Sequence, residues 1–314
     1  MRVPEATRCS ARLLAACARG LTRVPGAPTP GACGHASPLA TPPAWGWAAT
    51  AAAASASSPP PTSAAFLAAS EAAISRLADL AGGYSRASTA AGVPPPTAGL
   101  VFALTGSVGA GKSAWARAFV RAAAGDPDLP VPSPTYLLHN VYDEVCEGEG
   151  GGEGARPPLP PIHHFDLYRL AGAGRDAQDA PGLAAFDIER TGLGDALQRG
   201  VSLIEWADRL GPGGAAAAAG RAGVSPPPAV VEVSIEALAP GEASAMAATA
   251  TAGSLECDSE SDSGGDDPFA DDRPRAVRLV VGEGSGGAAA AARVAAVAAA
   301  VRAGAGGPGL ALVE

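Results

Sequence analysis

The stretch GLVFALTGSVGAGKSAWARAFVRAAA, Gly99 to Ala124, decides the fold. Its opening GLVFAL is a short apolar run between a proline-rich loop and Gly106, the pattern of a buried strand. Its closing KSAWARAFVRAAA puts Trp115, Phe119 and Val120 at helical spacing, and Asp126 with the prolines beyond stops the helix. Between them GSVGAGKS, Gly106 to Ser113, fits G-x-x-x-x-G-K-[ST] without relaxation. The spacing has a chemical reason. Gly106, Gly109 and Gly111 let the backbone wrap closely around anionic oxygens. Successive amides through Ser107, Val108 and Ala110, and the helix N-terminus up to Ala114, then point at phosphates. Lys112 reaches the outer phosphates, and the Ser113 hydroxyl suits a magnesium coordination position.

Composition sharpens this reading. Lys112 is the only lysine among 22 basic residues, in a chain that otherwise uses arginine. Against 31 acidic residues the net charge is −9, which argues against a protein that wraps nucleic acid by its overall field. Gly 41 and Pro 30 in 314 residues are too dense for element interiors, so one compact domain diluted by insertions and flexible ends is expected. The five cysteines, Cys9, Cys17, Cys33, Cys146 and Cys257, have no metal-ligand spacing and suggest no disulfide framework. No apolar run has the large side chains of a membrane span.

Residues 1–30 carry Arg2, Arg8, Arg12, Arg19 and Arg23 against the single acid Glu5, among small and hydroxyl residues. That composition predicts an organellar transit peptide, with a Pro/Ala/Ser linker to residue 64. The expected location is a chloroplast or mitochondrion, and otherwise the cytoplasm. Residues 66–82 predict an amphipathic helix through Leu67, Ile74, Leu77 and Leu80, with Ser70 and Glu71 as a start signal and Gly82-Gly83 as its end. Further strands are expected at 162–168, 201–206, 229–238 and 275–281, and helices at 183–199 and 288–302. Residues 143–161, 211–228 and 240–274 read as low-complexity insertions.

Three polar positions stand out beside the loop. Asp166 in HHFDLYR and Glu205 in VSLIEW are acids at strand ends, where rigid backbone aims a carboxylate toward magnesium or an attacking water. Local sequence leaves open which acid does which. Thr135 in SPTY, held by Pro132 and Pro134, is a turn former or a hydroxyl that coordinates magnesium and senses the outer phosphate. His163 and His164 are neighbours on one strand and point to opposite sides, so they read as core or supporting residues rather than one metal site. On local grounds Trp206 reads as a packing residue.

Taken in order, the phosphate loop, SPTY, HFDLYR and LIEW resemble the small ATPase family of tRNA threonylcarbamoyladenosine synthesis, TsaE (YjeE), over about residues 66–210. The resemblance implies ATP binding with magnesium and slow hydrolysis. It implies work with a TsaD-type transferase and a TsaB-type partner that modify adenosine 37 of tRNAs reading codons that begin with A. The tRNA would then be met only through the complex. The family's site would fall on the loop residues, with Thr135 as switch threonine and Asp166 and Glu205 serving magnesium and water. Trp206 would lie near the nucleotide. Two loop positions depart from the family pattern: Ser107 stands where Asp is usual, and Ser113 where Thr is usual.

The fold class expected is α/β, a P-loop NTPase-like three-layer domain over 66–302 with a mostly parallel central sheet and disordered insertions. The expected activity is magnesium-dependent ATP hydrolysis. A small P-loop kinase is the first rival; it needs an acceptor pocket and a basic lid, for which only the scattered Arg117, Arg121, Arg169 and Arg190 offer themselves. A nucleotide-binding interaction module without catalysis is the second.

Overall fold

The computed structural model describes residues 61–143, 159–170, 183–254, 273–282 and 287–313. Of the expected presequence and linker, residues 1–60 fall outside the described residues, as do 144–158 and 255–272 within two of the expected insertions.

The strand–loop–helix unit forms as its pattern dictates. Strand β2 is Leu100–Thr105 and helix α3 is Lys112–Ala124. Strand β1 (Ser63–Ala68), helix α1 (Glu71–Gly82) and helix α2 (Arg86–Ala90) precede it. After it come β3 (His139–Tyr142), β4 (Ile162–Asp166), α4 (Ala185–Thr191), α5 (Leu193–Arg199) and β5 (Val201–Glu205). The chain continues through α6 (Gly214–Arg221), β6 (Ala229–Ala237), α7 (Pro240–Ala248) and β7 (Ala250–Ser254). It ends with β8 (Arg275–Val281), α8 (Ala288–Arg302) and β9 (Leu310–Val313).

Among the described residues the strands form one sheet in the order β3-β4-β5-β2-β6-β8-β1-β9-β7. Its core, β4-β5-β2-β6, is parallel, as expected. The flanks are antiparallel, so the sheet as a whole is mixed. Both faces are covered, which makes three layers. On β2, Phe102 and Leu104 face α1, α3 and α8, where Ile74, Leu77, Trp115, Phe119 and Val294 pack. Val101 and Ala103 face the other way, toward Ile188, Leu193, Leu197 and Ala218 of α4, α5 and α6. Among the described residues no helix is long and apolar enough to cross a membrane.

Four expectations change. The helix expected from 66 begins at Glu71, because Ser63–Ala68 is a strand held between β8 and β9; Phe66 and Leu67 are buried there as sheet residues. Ser70 does start the helix: its Oγ accepts from Ala73 N at 3.3 Å. The sheet therefore reaches past the expected bounds 66 and 302, to Ser63 at one end and Val313 at the other. Residues 214–221, expected as spacer, form a helix that buries Ala215, Ala218 and Ala219. Likewise 240–254, expected as insertion, forms α7 and the edge strand β7.

The Ala-rich α8 is fixed by one buried cation. Arg293, 4% exposed, donates to the carbonyls of Ala81 (2.7 Å), Gly82 (3.2 Å) and Pro95 (3.0 Å). It thereby satisfies the free carbonyls at the end of α1 and clamps α1 beside the phosphate loop.

Candidate functional site

Register sets the site. Asp166 of β4 pairs with Glu205 of β5, and Glu205 pairs with Leu104 of β2, just before Thr105 and Gly106. Three parallel strands thus end at one level, where helices and loops leave a crevice. Val108, Gly109, Gly111, Lys112, Ser113 and Ala114 line a cavity of about 450 Å³ together with Thr135, Asp166, Glu205 and Trp206. Sequence expectation brought those ten residues to one place, and the structure brings them together. Glu71, Arg117 and Tyr168 complete the wall.

Gly106, Ser107 and Ala110 take part differently. Gly106 has φ +140 and presses on β6, where an added Cβ would lie 2.2 Å from the Ile235 carbonyl oxygen. Ala110 turns its methyl into the core and its N–H to the Ser107 carbonyl at 3.2 Å. The Lys112 ammonium donates to the carbonyls of Gly106 (2.8 Å) and Ser107 (2.7 Å) and lies 3.9 Å over the Trp206 ring. Burial holds its pKa below the usual lysine range, while Glu205, Asp166 and Asp208 pull it back up.

Two hydroxyl–carboxylate pairs face this ammonium. Ser113 Oγ donates to Glu205 Oε2 at 2.7 Å, and Thr135 Oγ1 donates to Asp166 Oδ2 at 2.6 Å. Ser133 Oγ also reaches Asp166 Oδ2 at 3.4 Å, and the Tyr168 amide donates to Asp166 Oδ1 at 3.0 Å. Both carboxylates are buried, Asp166 to 4% exposure and Glu205 to 1%. Among the described residues no group of three or more His, Cys, Asp and Glu could hold a metal. The donor set is two carboxylates and two hydroxyls, hard oxygen ligands that suit magnesium rather than a softer metal.

Backbone strain concentrates here. Among the described residues the non-glycine positive φ angles are Leu138 (+69°) and Trp206 (+59°). Each costs about 1 kcal/mol and persists only where surroundings fix it. Leu138 offers its carbonyl to the Asp166 amide at 3.2 Å, and Trp206 sets its ring under Lys112 and against Tyr168, with 5.0 Å between ring centres. Trp206, a packing residue by local sequence, is thus a wall of the cleft.

Sequence reasoning missed the partners of the acids. Ser133 and the Tyr168 amide carry no signal beyond lying in SPTY and HFDLYR. His164 does: it sits two residues before Asp166, on the same strand face, and its Nε2 lies 2.8 Å from Glu205 Oε1. His163, pointing the other way, meets His139 at 3.0 Å.

Comparison with known proteins agrees with this geometry. No curated protein matches the chain. A family model described as threonylcarbamoyl adenosine biosynthesis protein TsaE matches residues 70–224, from the cap of α1 to just past α6. That span holds every residue of the cleft, and the chain belongs to the TsaE family of tRNA threonylcarbamoyl adenosine biosynthesis.

Proposed function

We propose that the chain binds ATP with magnesium at Gly106–Ser113 and hydrolyses it to drive threonylcarbamoyl modification of adenosine 37 in tRNAs reading codons that begin with A. It does so with a TsaD-type transferase and a TsaB-type partner, and meets tRNA through that complex. One observation carries the reading: the lone lysine, two hydroxyls and two buried carboxylates converge on one cleft at the strand ends.

In this reading Lys112 exchanges the Gly106 and Ser107 carbonyls for the β- and γ-phosphate oxygens, and the loop amides cradle the same charge. Magnesium would be held from among Ser113, Thr135, Asp166 and Glu205, by the hydroxyls and one of the two carboxylates, and when bound it neutralises phosphate charge. The carboxylate not engaged with the metal orients a water toward the γ-phosphorus. The P–O bond to the β-phosphate breaks, giving ADP and phosphate. Thr135, tied to Asp166 on the SPTY segment two residues before the strained Leu138, changes partner with nucleotide state.

The cleft also continues along α1 and α3. A groove of about 810 Å³ shares Glu71, Ala114 and Arg117 with it. Ala114, Ala118 and Ala122, one helical turn apart, give that groove a flat floor, between Asp79 on one side and Arg117 and Arg121 on the other. The nucleoside is assigned to this groove.

The test is reconstitution. The full chain is combined with TsaD- and TsaB-type partners, and phosphate release and modified adenosine are followed with and without ATP. Phosphate release with no acceptor present, and modification that needs both chain and ATP, support the reading. Modification that proceeds equally without the chain overturns it.

A further inference from the structure

The mechanism leaves one buried group unused. His164 is 1% exposed and lies on β4 two residues before Asp166, facing α3. Its Nε2 lies 2.8 Å from Glu205 Oε1, and the other oxygen of that carboxylate accepts the Ser113 hydroxyl at 2.7 Å. His164 Nδ1 is buried with no hydrogen-bond partner among the described residues. A proton on Nδ1 would be a buried donor with nothing to meet, whereas a proton on Nε2 meets a carboxylate. The geometry therefore selects the Nε2–H tautomer, which donates to Glu205.

We propose that His164 is a positioning residue: through this hydrogen bond it locks the Glu205 carboxylate toward Ser113 and the phosphate loop. The proposal rests on the hydrolysis reading above. A glutamate has three side-chain torsions, so a carboxylate at a strand end does not aim itself. Here each of its oxygens is held by a donor from a different element, His164 on β4 and Ser113 on α3. The imidazole rises from the interior of a strand paired on both sides, the more rigid of the two supports. Ser113 is the partner that must readjust when ligand enters, and during that change His164 keeps one carboxylate oxygen fixed. Removing such an outer partner of a ligating group commonly costs 10- to 100-fold in activity or metal affinity.

The experiment uses the full chain and four variants: His164→Leu, His164→Gln, Glu205→Gln, and His164→Leu with Glu205→Gln. Gln keeps an N–H donor near the Nε2 position, and Leu does not. The expected result is a kcat for phosphate release lowered about 10- to 100-fold in H164L, with the ATP dissociation constant within about threefold of wild type. In H164Q, kcat returns to within about threefold of wild type, because the donor is restored. In the Glu205→Gln background, His164→Leu adds less than about threefold, because the residue acts only through Glu205. A merely structural histidine gives equal losses in H164L and H164Q, or multiplicative losses in the double variant, and either result overturns the proposal.

A second measurement needs no turnover. Side-chain ¹⁵N NMR of the nucleotide-free wild-type protein is expected to show His164 protonated at Nε2 and not at Nδ1, with a slowly exchanging Hε2. That proton is expected to shift and exchange faster in Glu205→Ala. A proton on Nδ1, or an Hε2 indifferent to Glu205, overturns the proposal even if H164L fails to fold. Absence of phosphate release by the wild-type chain with its partners removes the hydrolysis reading instead, while the imidazole–carboxylate contact is still read by NMR.

Discussion

Replacing Gly106 and Gly109 by alanine, one at a time, separates two meanings of a glycine-rich loop. At Gly106 the backbone has φ +140, a region other residues almost never occupy, and the new Cβ would lie 2.2 Å from the Ile235 carbonyl oxygen. Relieving that contact means moving the oxygen by about 1 Å to reach ordinary contact distance. The oxygen belongs to β6, which is hydrogen-bonded to β2 and β8, and the Ile235 side chain is fully buried. Backbone strain of about 1–3 kcal/mol and overpacking of about 1–3 kcal/mol add to roughly 2–6 kcal/mol. At Gly109 φ is +78 and an added Cβ meets nothing within 4 Å, so only the left-handed backbone cost of about 1 kcal/mol remains. For an ordered domain of this size 1 kcal/mol moves Tm by about 2–4 °C, so Gly109→Ala loses about 2–4 °C and Gly106→Ala about 4–24 °C. Thermal unfolding followed by circular dichroism on the full chain reads both. Equal, small losses would refute the argument that the loop is wedged against β6.

Three further outcomes follow from the same geometry. Burial, and then the neighbouring His163, lower the His139 pKa to about 4, so the unfolded chain binds more protons between pH 6.5 and 4. Stability from this group is therefore complete above pH 6.5 and fades toward pH 4. The loss is about 1–2 kcal/mol after discounting for partial exposure, and His139→Phe should flatten that part of a denaturant-midpoint-versus-pH curve; an unchanged slope would contradict it. Ala118→Trp fills the α1–α3 groove, so it should weaken ATP binding at least about tenfold and leave tripolyphosphate binding unchanged, whereas equal weakening of both would place the nucleoside elsewhere. Thr135→Val removes the hydroxyl that meets Asp166 and should lower kcat for phosphate release about tenfold or more while Thr135→Ser keeps it; Val and Ser behaving alike would show that the hydroxyl is idle.

The parts of the fold legible in the sequence were those whose signal is local. The β2–loop–α3 unit combines an apolar run, required glycines and a periodic helix, and it forms where those patterns predict. Asp166 and Glu205 were placed at strand ends by the apolar residues before them, and the sheet register brings them side by side. The misread elements are rich in alanine, which suits helix, strand and spacer alike. SAAFLA becomes β1 because β8 and β9 bracket it, a pairing with residues over 200 positions away. The alanines of α6 are buried in one cluster with Ile188, Leu193 and Leu210, neighbours that the local sequence does not announce. At the site, residue types were readable but partners were not. Nothing local says that His164 meets Glu205 rather than His139, since strand alternation assigns it a face and only the fold assigns the neighbour.

The central claim is that Lys112 and the loop around it grip a triphosphate. Calorimetric titration of ATP with magnesium into the full wild-type chain and into Lys112→Ala tests it most directly, with circular dichroism to show that both are folded. The account predicts saturable binding to wild type and affinity at least about tenfold weaker in K112A, as loss of a buried charge-assisted contact requires. Equal affinity in the two proteins, or no binding to the folded wild type, would contradict it.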